Sequence, residues 1–535
     1  MLNRLEDRLK NLLATNSFTI GVLVVAIAGR LLQLLYLFNI RSDRSFQLLA
    51  TTNLLKGYGI SLAEVNTADL SHIIYTPLIN WPPAYSLIIA PLYVLSGHNY
   101  LIAALTLDIL AAIVLILISR AILKLLHVSP YAISLYTITS GLFIYPFYFI
   151  SSSDSIAVTV FIIAVYYNFQ VLIKERASAL QMIILAFSLL VCGALKYLFI
   201  PMVFVPPFYL LIKGIVQRKY IFKKTAIIAF IIICAGLSIL FIYQLNRSGS
   251  VAYVSSGRTG FFPQNLLNVY PFIVAAFINP ATITTLFSTY YHASPLFAII
   301  QFFNILLFIL VCYSLIRIFI KRKLPWLVSQ DFYVFSVLVS LSLLLLLAAL
   351  SLRISTTEEL PGNWWTFIQE PRYYGLPIVL IQLTAFILLS ESATKLRRRW
   401  RYIFYVLFTF LLLETLHGIV FSTHRLFKLH QEEYSWQADL HFQKYADQLI
   451  RNLRREYNLP IVVYASSYYM ANRVGLYSHV PILYINSGRL NTTKPVILLE
   501  ILNKADALKS TSFTKSRTAG YYNGLYFYAH YVTSR

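Results

Sequence analysis

FTIGVLVVAIAGRLLQLLYLFNI, Phe18 to Ile40, runs directly into RSDRSF, Arg41 to Phe46. The apolar part is longer than the roughly 20 residues a helix needs to cross a bilayer, and no small-residue cleavage site follows it. It reads as a retained first span and not as a signal peptide. Blocks of the same kind recur along the 535 residues, of which 58% are hydrophobic and only 12% charged. A soluble multidomain enzyme would carry about twice that charged share, so the composition excludes one. The formal net charge of +23 does not point to nucleic acid, because Lys and Arg gather beside the apolar blocks and not on one soluble face. Cys192, Cys234 and Cys312 all sit inside apolar blocks with no CxxC pair, which argues against a disulfide framework or a zinc site.

About eleven spans are expected: 18–40, 100–123, 131–150, 156–173, 179–195, 198–212, 225–243, 293–316, 332–350, 376–389 and 402–421. With a cytoplasmic N-terminus, the inward stretches hold Lys213, Arg218, Lys219, Lys223 and Lys224, then Arg317, Lys321, Arg322 and Lys323, then Lys395 and Arg397 to Arg399. The opposite loops are poor in Lys and Arg, which sets the orientation. Outer loops are then expected at 41–99, 244–292 and 353–375, with everything from Ser422 onward on the outer side. In the first loop, SFQLLATTNLLKGYG and Ala84 to Ser96 read as helices lying along the membrane surface. After residue 421 the composition changes. A polar helix from Tyr434 to Tyr457 and the runs IVVYA, PILYI and PVILLEIL predict a small extracytoplasmic α/β domain over 422–535, beside a transmembrane domain over 1–421.

Ionisable residues at a membrane boundary need a reason, since burying one in the hydrocarbon core costs about 3 kcal/mol on insertion scales. Asp43 follows the first span and Asp154, in SSSDSIAV, precedes the fourth; each alone is explained by helix capping. Both, however, fall at one membrane level at helix ends, where two carboxylates could line one cavity. In EPRYYGLP, Glu370 to Pro377, Arg372 offers a fork suited to phosphate and Tyr373 a hydroxyl, against the simpler reading of an interfacial anchor. Lys196 in GALKYLF could reach a phosphate or snorkel at a helix end. Arg258, in the Gly-flanked SSGRTGFF, could touch substrate, although an ordinary solvated arginine is the better reading. Trp364 and Trp365 suit the headgroup layer, and Asp108 inside the second span is expected to pair with a polar neighbour. There is no Walker, GxGxxG, HExxH or Ser-His-Asp pattern, so no nucleotide cofactor is expected.

In this order the features resemble the GT-C superfamily of polytopic glycosyltransferases, in particular the branch with protein mannosyltransferases and lipid A aminoarabinose transferases. The resemblance is carried by Arg30 in the first span, Asp43 after it, the segment from LLKGYG to NWPPAYSLIIAPLYVLSG, then SSSDSIAV, GALKYLFIP and EPRYYGLP, over roughly the first 390 residues. Two places depart from it. Asp43-Arg44 stands where members commonly carry two acids, and Asn80-Trp81 where the aminoarabinose branch has Glu-Lys before Pro-Pro.

The resemblance implies an all-α, GT-C-like polytopic membrane fold and transfer of a sugar from a polyprenyl-phosphate donor to a glycan, lipid or protein acceptor outside the cytoplasmic membrane. Asp43 would be the general base, and Asp154 would orient the acceptor or hold a divalent metal ion together with Asp43. Arg372, Tyr373, Lys196 and Arg258 would meet the phosphate. A flippase of lipid-linked saccharides would instead need charges deep within several helices, for which only Arg30 and Asp108 qualify. An O-antigen polymerase or ligase would lean on outer arginines and a histidine.

Overall fold

The computed structural model describes residues 16–38, 40, 43–79, 81–148, 153–249, 258–279, 282–283, 295–321, 330–355, 370–395, 408–420, 423, 436–465, 468–484, 490–503 and 516–533. Eight helical segments among them are long and apolar enough to cross a membrane: Ser17–Leu35, Tyr100–Leu125, Asp154–Lys174, Tyr197–Val216, Tyr220–Ser248, Ala298–Ile316, Gln330–Arg353 and Pro371–Ser390. The chain is a polytopic membrane protein. Pro130–Leu142, Ala179–Leu195 and Phe408–Val420 also form helices where spans are expected, but each is shorter than a spanning helix normally is.

The third expected span stops early, and its end has a physical cause. Helix Pro130–Leu142 breaks at Phe143, which is extended, and a single 3-10 turn, Pro146–Tyr148, follows. Carbonyls at the end of a helix have no partner within it, and in an apolar interior they need one. Arg30 and Gln33, both on helix Asn16–Leu37, supply it. Arg30 donates to the carbonyls of Ser140 and Phe143, and Gln33 donates to that of Leu142. Gly141 permits this approach, because a Cβ there would collide with the Ala26 backbone. Tyr145 and Tyr148 lay their rings against the Arg30 guanidinium at 5.3 and 4.8 Å. The intramembrane arginine is therefore a helix cap.

Beyond the bundle the chain builds one seven-stranded sheet in the order β2-β1-β6-β5-β7-β9-β8. The strands are β1 (Ser61–Asn66), β2 (Asp69–Pro77), β5 (Ile461–Ala465), β6 (Ile482–Leu483), β7 (Val496–Asn503), β8 (Ser516–Tyr522) and β9 (Leu525–Val532); β3 (Arg258–Thr259) and β4 (Ile354–Ser355) pair separately. The first-loop hairpin β1–β2 joins the C-terminal strands through a parallel pairing of Glu64 with Ile482, so the sheet draws strands from both sides of residue 422. The IVVYA run is buried along most of its length because strands flank it on both edges and helices lie nearby. Asp69 ties the hairpin to the chain before β7, accepting from the Thr493 amide at 3.0 Å and its hydroxyl at 2.9 Å.

The surface helices expected in the first loop are present as Asp43–Leu55 and Ala84–Leu95. Helix Asp43–Leu55 lies between the bundle and the sheet unit. Helix Tyr468–Ser478 packs against it, with Asn472 donating to Ser45 at 3.1 Å and Tyr484 donating to Asn472 at 2.7 Å. Phe46 stacks on Trp81 at 4.8 Å and on Tyr484 at 6.0 Å. The C-terminal unit thereby fixes the element on which Asp43 sits.

Candidate functional site

Asp43 and Asp154 each occupy the first turn of a helix, Asp43–Leu55 and Asp154–Lys174, where the amide dipoles favour a negative charge. Their carboxylates have specific partners as well. Asp43 accepts from Arg372 at 2.6 Å, and Lys196 reaches Asp154 at 2.9 Å. Arg372 rises from the 3-10 turn Pro371–Tyr374, and Lys196 stands in extended backbone just past helix Ala179–Leu195. Tyr373 joins the two pairs: the Lys196 ammonium lies 5.0 Å and the Arg372 guanidinium 5.1 Å from its ring centre. Arg372 also donates to the Tyr373 hydroxyl at 3.4 Å.

Two further residues complete the cluster, and the sequence reading gave neither a role. Glu370 is buried, with an oxygen 3.4 Å from Nε of Arg372. Trp81 hydrogen-bonds the Asp43 carboxylate from the NWPP segment. The signal for Glu370 was its place two residues before Arg372, in the segment already marked out. A Trp before two prolines gave none, because the same pattern marks many interfacial anchors.

Burial on its own would raise the Asp43 pKa. The charges of Arg372 and then Lys196, with the hydrogen bond from Trp81, outweigh it and hold this carboxyl at about 2. For Glu370 the balance falls the other way: burial raises its pKa, and the attraction of Arg372 only partly offsets this. One carboxyl of the cluster is thus held ionised, while burial raises the pKa of another.

Beside the cluster, Arg44 donates to Asp108 at 2.6 Å, and Ser155 donates to the other Asp108 oxygen at 3.3 Å. Asp108 has the polar neighbour expected for it, and the neighbour is the Arg44 guanidinium. The Arg258 side chain, Trp364 and Trp365 lie outside the described residues.

A divalent cation shared by Asp43 and Asp154 fits these donors poorly. Each carboxylate already faces a cationic side chain, and among the described residues no three His, Cys, Asp or Glu gather as ligands. The expected metal role is therefore not carried further. What the arrangement offers chemically is two cations, each facing a carboxylate in whose place a phosphate could stand, beside an ionised Asp43.

No family model and no curated protein matches the sequence. Among solved structures the chain is similar to ArnT from Cupriavidus metallidurans bound to undecaprenyl phosphate, at 12% identity and a TM-score of 0.49, covering 96% of this chain and 98% of that one. The apo state of the same protein gives 12% identity and a TM-score of 0.47 over the same shares.

Proposed function

We propose that the chain transfers a sugar from a polyprenyl-phosphate donor to an acceptor hydroxyl at the outer face of the cytoplasmic membrane, inverting the anomeric carbon. The observation that carries this reading is the meeting of Asp43–Arg372 and Asp154–Lys196 across Tyr373. Asp43 takes the proton of the acceptor hydroxyl as its oxygen bonds to the anomeric carbon. The bond from that carbon to the phosphate oxygen breaks, and the lipid phosphate leaves with one more negative charge. Arg372 and Lys196, with the Tyr373 hydroxyl, meet that charge in a site largely closed to water. Asp154 positions Lys196, and Arg258 is a further candidate for the same phosphate. The resemblance of the sequence motifs to the GT-C superfamily supports the donor class. Arg30 and Asp108, the charges a transporter would use, are occupied in a helix cap and an ion pair.

The test is sugar transfer by purified protein in nanodiscs supplied with a polyprenyl-phosphate-linked sugar. Undiminished turnover by Asp43→Asn would sink the base assignment, and unchanged polyprenyl-phosphate affinity in Arg372→Ala would sink the phosphate site.

A further inference from the structure

Helix Ala84–Leu95 keeps an apolar face that the rest of the described chain does not cover. Leu87, Pro91, Val94 and Leu95 recur at helical spacing and are exposed, Leu95 to 82%, while Tyr85, Ile89 and Tyr93 on the other side are buried. A short turn, 96–99, leads from there into span Tyr100–Leu125, on which Ile102, Leu110 and Val114 are exposed as well. The turn therefore lies where hydrocarbon meets headgroups, between two lipid-facing apolar surfaces.

Four cationic side chains from four segments gather at this turn. His98 belongs to the turn itself. Lys56 follows helix Asp43–Leu55, His479 follows helix Tyr468–Ser478, and Arg454 is in the last turn of helix Trp436–Tyr457. His98 and His479 flank one pair of stacked tyrosines: between ring centres, His98 is 5.0 Å from Tyr93, Tyr93 is 4.2 Å from Tyr100, and Tyr100 is 6.3 Å from His479. Arg454 donates to the carbonyl of Ser478, beside His479, at 3.4 Å. Burial first, and then the charges of Lys56, Arg454 and His98, hold the His479 pKa below the ordinary histidine value. All four side chains are exposed, and none forms an ion pair among the described residues. Asp447, an acid whose charge reaches Arg454, is shared with Arg451 and with the Ser478 hydroxyl. The carbonyl dipoles at three helix ends make such a gathering tolerable, and an anion at the membrane surface would complete it.

We propose that this cluster binds the headgroup of an anionic phospholipid, with the acyl chains of that lipid against Leu95 and Ile102. The occupant is a lipid because the cations stand between lipid-facing surfaces, and basic side chains beside an exposed apolar helix face are what an anionic bilayer attracts. The headgroup joins three parts of the molecule: Lys56 beside the helix that carries Asp43, His98 at the head of a span, and Arg454 with His479 in the C-terminal unit. Bound lipid thus holds that unit against the bundle, whatever reaction the site performs.

The test is native mass spectrometry of the full-length protein in neutral detergent, titrated with dioleoyl phosphatidylglycerol or dioleoyl phosphatidylcholine. With two permanent charges each contributing about a fivefold gain, phosphatidylglycerol is expected to bind about 25-fold more tightly. Lys56→Gln with Arg454→Gln should bring the two lipids level, whereas Lys56→Arg with Arg454→Lys should keep the preference. Melting temperature gives a second readout: phosphatidylglycerol nanodiscs should raise that of the parent over phosphatidylcholine nanodiscs, and not that of the glutamine pair. A preference untouched by the glutamine pair would overturn the proposal, as would equal binding of the two lipids by the parent. Displacement by glycerol 3-phosphate at the concentration of the lipid would also overturn it, because the occupant would then be a soluble phosphate. Polyprenyl-phosphate binding should persist in the glutamine pair; its loss would put the cluster in the donor site and overturn the proposal as well.

Discussion

A carboxylate held at about 2 is ionised at neutral pH but is a weak base, so the Asp43–Arg372 pair limits the chemistry until a donor arrives. In the proposed mechanism a donor phosphate draws the Arg372 charge to itself, and the Asp43 pKa then rises toward its ordinary value. Because Asp43 must be ionised to act, kcat/KM, which reports the free protein, should have no acidic limb from this residue above about pH 4. The acidic limb of kcat should appear at higher pH, and coincident profiles between pH 4 and 8 would refute the exchange of partners. Asp43→Asn should lower kcat by about 10²- to 10⁴-fold, the range for a lost general base. Glu370 has the opposite sign: its raised pKa means that its contribution to stability is present at low pH and is lost as pH rises through that value. Glu370→Gln should therefore gain melting temperature over the parent chain at pH 7 relative to pH 4, as differential scanning fluorimetry can measure. Asp43, Asp154, Lys196, Arg372 and Tyr373 were legible in the sequence because each is polar at an apolar boundary. Glu370 and Trp81 were less so: Glu370 is marked only by its place beside Arg372, and Trp81 matters through Asp43 at the other end of the first loop, a pairing that no local pattern shows.

At the scale of elements, hydropathy placed most long helices correctly, since a run of apolar residues has few alternatives in lipid. It could not find the break after Leu142, because Phe143 to Tyr148 is as apolar as the helix before it. The local mark of the break is Pro146, which cannot continue a helix, and Arg30 and Gln33 supply the partners that the broken end needs. Arg30→Met would leave the Ser140 and Phe143 carbonyls unpartnered, at about 1–3 kcal/mol each. The expected result is a protein several degrees less stable in detergent with polyprenyl-phosphate affinity preserved; equal losses of both would make Arg30 part of the site. The β1–β2 and β8–β9 hairpins were also missed, although Asn523-Gly524, both at positive φ, is a strong local hairpin signal. Short alternating runs carry a weaker hydropathy signal than long apolar blocks.

Across the whole molecule, the sheet makes the C-terminal unit part of the site's support. Removing residues 436–535 would strip β1 of its β6 partner and helix Asp43–Leu55 of the Asn472–Ser45 contact. The truncated protein is expected to aggregate in size-exclusion chromatography and to lose polyprenyl-phosphate binding; a monodisperse, binding-competent truncation would show that the bundle holds the site alone. The parallel pairing of Glu64 with Ile482 also bears on how the protein is made. Roughly 420 residues separate the two strands, and at 5–20 residues per second the ribosome needs about 20–80 s to bridge them. Throughout that interval the hairpin has an open edge of the kind that templates wrong pairings. The helix bearing Asp43 gains the support of Asn472 only once that distant segment has been made, so a chain halted before it lacks a completed site.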